Sequence, residues 1–492
     1  MKEKERLMAN DQSQQPQVAM PLPKGKKNAV QVGCICMMLS VAMYGLVFAT
    51  LTSNILEPLG ASDYVSLFTL MGSLGVTIMT PIGGKLGDIV GRRNIVVIPG
   101  LICAIAGIAF AFTESLWPLM ILRLVISLAQ GAFTAAPYTI VSLINERKDV
   151  PKAMGELAAA ISLGGFGGSI IAGILTDAGL LWAAILLPAI PLLLGVALIG
   201  FNLPNQKREG KVSIDWTGIV VLVIALCGIL LPLNFGSSLG WTDWRIIIGF
   251  VIGIVAIVVL VKVEQGASDP LIPLKLFKNK QYTAILIVCA ICYFYQTAMN
   301  TYASIGVQQV MGGSATIAGS LQMPRTIITM ILPTFVGVWV GKSSRNSWKA
   351  MLISTICVII PMAAMGFTTP TYPVAIYFVA LAITGISESF RSTSMLPSAQ
   401  ATLAPADIGI GTSLVNFANS LATSVSAAVL GAVYNAFTVA DATNATYIQN
   451  GVNAVFWTSA IITVVGFFIV LFVIRPQMEK TYKEEQAAEA AK

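Results

Sequence analysis

Glu388 and Arg391 stand three residues apart in a long apolar and hydroxyl-rich run, where a helix lets them pair directly. Arg123 and Arg325 interrupt two other apolar runs. Charged groups at bilayer depth are costly and by default functional. Two readings fit them. In one, Glu388 and Arg391 neutralise each other as a packing pair, and carbonyls at a span end hold Arg123. In the other, Glu388 is the proton-coupling carboxylate, released from Arg391 when substrate or proton competes. Three arginines against one midspan glutamate leave a positive balance suited to an anionic solute; a cation carrier requires the reverse.

Tyr293, Tyr295, Gln296, Asn300 and Tyr302 offer ring faces and hydrogen bonds without fixed charge, which suits an amphipathic ligand. Hydrogen bonding between helices explains the same residues, and Asn416 and Asn419 read both ways. The chain has no histidine, which removes the commonest metal ligand and neutral-pH proton carrier. Any proton coupling must therefore use carboxylates, and no metal or cofactor is expected. Gly337-x-x-x-Gly341-Lys342-Ser343 is one residue short of a phosphate-binding loop and ends an apolar run instead of joining strand to helix. The seven cysteines, Cys289-x-x-Cys292 included, lie inside apolar runs and read as packing residues. No convergent set of nucleophile, base and metal ligands points to an enzyme.

The elements that position these residues are membrane helices. The chain is 56% hydrophobic and 11% charged, with mean hydropathy +0.79. Successive apolar runs of about 20 residues, each able to cross the hydrocarbon layer, predict 14 spans between residues 29 and 474. With Met1 inside, the inner loops hold Lys85, Arg92, Arg93, Arg147, Lys148, Lys152, Lys207, Arg208, Lys211, Lys275, Lys278, Lys280, Lys342, Arg345 and Lys349. The outer loops hold little beyond Arg245, with Glu57 and Asp63 at the outer mouth. Positive-inside bias thus predicts a multi-pass protein of the cytoplasmic membrane with both termini cytoplasmic. The net charge of +7 is a topology signal, and nucleic-acid binding is not expected.

Pro81 to Asn94 aligns without gaps on Pro333 to Asn346, keeping Pro81/Pro333, Arg93/Arg345 and Asn94/Asn346. Pro151 and Gly155 recur as Pro405 and Gly409. A membrane chain built as two parallel copies is a two-lobed machine with a site between the lobes that can face either side.

Gly84-Lys85-Leu86-Gly87-Asp88-Ile89-Val90-Gly91-Arg92-Arg93 resembles the signature loop between the second and third spans of the major facilitator superfamily. The resemblance implies a conformational gate formed by Gly84, Asp88, Gly91, Arg92 and Arg93, with Asp88 facing the start of the thirteenth span near Asp407. Asp215-Trp216-Thr217-Gly218, Glu264 and the stretch Asp269 to Phe277 resemble the 14-span, drug/proton antiporter-like branch of that family. An all-α fold follows: a tail at 1–28, a six-helix lobe at 29–203, a linker at 204–214, an inserted hairpin at 215–264, a linker at 265–281, a second six-helix lobe at 282–475 and a tail at 476–492. The resemblance also implies that spans one, four, nine and twelve line the cavity, which puts Tyr44, Arg123, Gln130 and Arg391 among the substrate-cavity candidates and the coupling candidate Glu388 near the same path; Arg325 of the tenth span joins the cavity candidates as a charge inside an apolar run.

Two departures bear on coupling. Where antiporters of this branch place an aspartate in the first span, this chain has Tyr44, and the fifth span reads Gly168-Ser169-Ile170-Ile171-Ala172-Gly173 in place of Gly-Pro-x-x-Gly-Gly. The expectation is a monomeric secondary transporter moving a small amphipathic, anionic organic solute by alternating access, as proton-coupled export. The alternatives are a cationic multidrug/proton antiporter, a uniporter or symporter of an organic acid such as a bile acid, and, outside transport, a membrane receptor.

Overall fold

The computed structural model describes residues 20–61, 64–206, 215–267, 270–313, 315–405, 407–438 and 444–490. Most of the first tail, Asp63, Lys207, Arg208, Lys211 and Asp269 lie outside the described residues. The described chain is all helical: α1 (Lys24–Leu56), α2 (Val65–Val90), α3 (Asn94–Ala111), α4 (Leu116–Ile144), α5 (Val150–Asp177), α6 (Leu181–Asn202), α7 (Trp216–Leu239), α8 (Trp244–Gly266), α9 (Lys280–Val310), α10 (Met323–Gly341), α11 (Ser344–Met365), α12 (Ala375–Ala401), α13 (Ile408–Thr438) and α14 (Ala445–Ile469). A π turn, Val470–Ile474, carries α14 on into α15 (Arg475–Ala490).

Among the described residues, 13 helices are long and apolar enough to cross a membrane. The fourteenth expected span is α12, 27 residues long. It is less apolar because it carries Glu388, Arg391 and the buried hydroxyls Thr384, Ser387, Ser389, Thr393, Ser394 and Ser398. Those hydroxyls are satisfied within the bundle: Ser389 Oγ donates to Gly385 O at 2.8 Å and Ser387 Oγ to Ser354 O at 2.8 Å. A polar span survives because its neighbours, not lipid, meet its side chains.

Side-chain caps start several helices. Asp215 accepts from Gly218 N at 2.8 Å to open α7, Asp243 from Arg245 N at 2.8 Å to open α8, and Ser343 from Arg345 N at 3.2 Å to open α11. Buried residues gather into one core drawn from α1 to α6 and a second drawn from α9, α11 to α14 and the chain beyond it, while Val336 and Val340 of α10 pack with Ala350 of α11 in a smaller cluster. The hairpin α7–α8 is joined tightly at Gly228, where a β-carbon would lie 2.6 Å from the backbone of Gly253. Its leucines Leu222, Leu226, Leu230 and Leu260 pack with Ile82 of α2, and Phe417 and Leu421 of α13 border the same cluster. The hairpin therefore touches both helix groups. Ile248, Val251, Ile254, Val255 and Val258 of α8 are exposed and give it a lipid-facing side.

The two copies of the repeated loop are anchored alike but by different chemistry. In the first, Asn205 donates to Val90 O at 3.0 Å and accepts from Asn94 N at 3.4 Å. Gly91 has φ +97° there, and Asn205 occupies the space its side chain would take. In the second, Glu479 of α15 accepts from Arg345 Nε at 2.9 Å and Trp348 Nε1 at 3.0 Å.

Candidate functional site

The α12 pair forms as the spacing predicts. Arg391 Nε donates to Glu388 Oε2 at 3.1 Å, and Arg391 Nη2 makes a second bond to Glu388 Oε1. Tyr295 Oη of α9 donates to the same Oε2 at 2.7 Å, and the Arg391 guanidinium lies 5.1 Å from the centre of the Tyr293 ring. Three donors converge on this one carboxylate. Close by, Arg325 of α10 donates to amide oxygens of Asn300 at 3.3 Å and Gln322 at 3.5 Å. Its charge lies within electrostatic reach of Tyr295 and Glu388.

α9 departs from regular helix in this stretch, with π turns at Ala298–Tyr302 and Gly306–Val310. Each wide turn shifts the side-chain register, a feature frequent at functional sites. Tyr295 and Tyr302 turn into the core, with Tyr302 meeting the Tyr434 ring at 5.3 Å, while Asn300 is exposed and Gln296 half-buried. Asn416 donates to Thr412 O at 3.0 Å, and Asn419 Oδ1 is buried without a partner. Cys289 and Cys292 are fully buried packing residues.

The candidates of the first helix group lie apart from that cluster. The Arg123 guanidinium sits 4.1 Å from the centre of the Phe48 ring and 5.1 Å from that of Phe68, and its Nε is buried without an acceptor. Tyr44 stacks on Phe48 at 5.8 Å, inside the core of that group. Gln130 is also buried, and its Nε2 has no acceptor. Arg123 is thus held by ring faces, an interaction of about 0.5–2 kcal/mol.

The two groups meet at the face that carries the basic loops. Gly155 of α5 lies against Pro333 of α10, Gly337 against the backbone of Pro151 and Lys152, and Gly341 against Lys148. The glycines that look like a phosphate-binding loop are therefore points of close helix contact. Gly84 meets the Ser413 side chain, and Gly409 meets the Arg92 guanidinium. Towards the other end of α5, Gly167 and Gly173 have nothing within 4 Å. Asp88 pairs with Arg92, one helical turn on, at 2.5 Å, and the same arginine meets Gly409 at the start of α13. Asp407 instead pairs with Lys275 at 3.1 Å, and Arg93 Nε is 3.4 Å from Asn94 Oδ1.

Three residues at this junction escape the sequence reading. Tyr138 of α4 lies within electrostatic reach of Tyr293, Arg391 and Glu388. Gln400 of α12 donates to Tyr138 O at 3.4 Å and Thr412 Oγ1 at 2.8 Å, and accepts from Ser142 Oγ at 2.7 Å. Tyr138 stands eight residues beyond Gln130, a spacing that continues one helical face. Gln400 and Ser142 carry no such signal.

Residues 33–427 match the sequence pattern of the Major Facilitator Superfamily. The multidrug transporter protein MdtP of Bacillus subtilis (strain 168) is 26% identical over 423 residues, covering 84% of this chain and 76% of that protein. Multidrug resistance protein 3 of the same strain is 27% identical over 416 residues, covering 83% and 80%. Among solved structures, the human organic anion transporter MFSD10 superposes with a TM-score of 0.64 at 15% identity, covering 91% of this chain and all of that one. That likeness is one of fold.

Proposed function

The chain belongs to the major facilitator superfamily, and from that premise we propose that it is a proton-linked carrier of small amphipathic organic anions, working between two six-helix lobes at 29–203 and 282–475. The charge arrangement around α12 carries the reading. Arg325 is met by neutral amide oxygens, and Arg391 shares the one carboxylate of the cluster with Tyr295. Arginine in such surroundings favours a carboxylate or sulfate by forked, charge-assisted hydrogen bonds. Tyr293 supplies a ring face beside them. With the basic loops cytoplasmic, the close glycine contacts seal the cytoplasmic side, so this conformer faces outward.

The pair also sets the sign of coupling. A solute anion that takes Arg391 deprives Glu388 of its counter-charge, and the carboxylate then accepts a proton; anion and proton bind together. Export in exchange for protons follows instead if the solute is a cation, which competes with the proton for Glu388. The two Bacillus relatives are named as a multidrug transporter and a multidrug resistance protein, which favours a multidrug carrier, and the second reading, a cationic multidrug antiporter, is one of that class.

One experiment separates the readings. The purified protein in weakly buffered detergent solution is titrated with an aromatic carboxylate or with a lipophilic cation, and the change in free proton concentration is recorded. Proton uptake on adding the carboxylate, absent in Glu388→Gln, supports the anion carrier. Proton release on adding the cation, with no response to the carboxylate, replaces it by the antiporter.

A further inference from the structure

We propose that Asp215 and Glu264 hold one proton between them at the foot of the α7–α8 hairpin, at a site separate from the α12 pair. Gly218 brings the two side chains together: a β-carbon there would lie 2.5 Å from Asp215 Oδ2 and 3.0 Å from Glu264 Oε1. Those two oxygens are both buried, and neither has a hydrogen-bond partner. The other oxygen of each side chain is engaged, Asp215 Oδ1 by Gly218 N at 2.8 Å and Glu264 Oε2 by Ile272 N at 3.0 Å. Glu264 is only 4% exposed. Two ionised carboxylates that converge on one glycine repel, and a single proton removes one of the charges and makes one side chain a hydrogen-bond donor.

The charged groups around the pair leave that place to a proton. A cavity of about 490 Å³ adjoins Glu264 and is lined by Lys85 of α2, by Lys275 and Lys278 of the segment after α8, and by Asp407 before α13. Lys85 Nζ is directed to Pro270 O at 3.3 Å and Lys275 Nζ to Asp407 at 3.1 Å. No ammonium donates to either orphaned oxygen. The cavity gives water a path to Glu264 from the face that carries the basic loops.

Occupancy of the pair bears on how the two helix groups are tied together. Glu264 fixes Ile272, and the segment around it runs from the contact with Lys85 on α2 to the ion pair with Asp407 beside α13. Losing the proton drives the feet of α7 and α8 apart and slackens this bridge. Raising the pH on that face therefore favours separation of the groups there.

The test is the thermal stability of the full chain in detergent, followed from about pH 6 to pH 9, an interval in which a chain without histidine has few ordinary titrating side chains. Wild type should lose stability as the pH rises. Glu264→Gln puts a permanent N–H donor where the proton was, and its melting temperature should stay level over the same interval. Asp215→Asn should behave likewise and keeps the α7 cap, because asparagine caps as well as aspartate. It also serves as the working variant should Glu264→Gln fail to fold. Infrared difference spectra should show a protonated-carboxyl band that either substitution removes. Variants that keep the wild-type pH slope overturn the proposal. So does recovery of wild-type stability at high pH on adding sodium or potassium chloride at constant ionic strength, which would make the occupant a metal cation.

Discussion

Gly155 of α5 lies so close to the carbonyl of Pro333 in α10 that a β-carbon on it would sit 2.5 Å from that oxygen. The contact joins the two helix groups, and each partner belongs to a repeated position in the sequence. Glycine here is a condition of closure, because backbone cannot retreat as a flexible side chain can.

Gly155→Val should therefore open the face that carries the basic loops. Overpacking at such a contact costs about 1–3 kcal/mol, enough to move the balance of conformers by about 5- to 150-fold. Thiol-reactive probes at single cysteines placed between α5 and α10 should react faster than in the parent. Unchanged reactivity together with full transport would show that this contact does not govern closure.

Arg391→Gln should be among the most damaging single substitutions in the second helix group. It strands Glu388, whose side chain is 18% exposed, and breaking a buried pair costs about 3–5 kcal/mol. The double variant Glu388→Gln/Arg391→Gln removes both charges and should recover most of the melting temperature while remaining inactive. If the double variant transports at the parental rate, the pair serves packing alone.

Arg325 and Arg123 should separate cleanly. Arg325 is half-buried among amides, so Arg325→Ala should weaken protection by an organic anion more than it weakens the unliganded protein. Arg123 is packed on Phe48 and Phe68 in the first core, so Arg123→Ala should lower the melting temperature with or without the anion. Thermal-shift curves with and without an aromatic carboxylate read both effects. Equal loss of anion protection in the two variants would place both arginines on the solute path.

Lys275 and Asp407 form an ion pair whose lysine side chain is 60% exposed, so its worth to stability is only about 0–1 kcal/mol. Its effect should lie in conformational balance. Lys275→Glu should raise probe access between the groups on the basic face, and the swap Lys275→Glu/Asp407→Lys should restore it. A swap that behaves like the single variant would mean that the pair does not latch that face.

Features that depend on local spacing were legible in the sequence. The i, i+3 pair of Glu388 and Arg391 formed, the repeated glycine loops sit at helix ends, and family membership followed from the loop Gly84 to Arg93. Features that depend on assembly were not. That Arg92 both pairs with Asp88 and meets Gly409 of α13 is set by how the helices pack, which spacing along the loop does not show. The π turns of α9 leave no mark on apolar periodicity. Asp215 and Glu264 stand out in the sequence only by their resemblance to the 14-span branch, and it is packing that brings both side chains to Gly218. Even α12 is weaker as a membrane segment by composition than in place, because its hydroxyls find partners that hydropathy does not count.

The unlike anchors of the two repeated loops make the halves of the machine respond differently to the medium. Asn205 holds the first loop through uncharged amide bonds, which added electrolyte leaves almost untouched, whereas Glu479 holds the second partly through Arg345, whose side chain is 47% exposed. Mobile ions screen an exposed pair of that kind once the Debye length falls to a few ångströms, about 3 Å at 1 M. A carrier built from near-duplicate parts thus has one salt-tolerant shoulder and one salt-sensitive shoulder, and a concentrated brine slackens the second while the first keeps its grip.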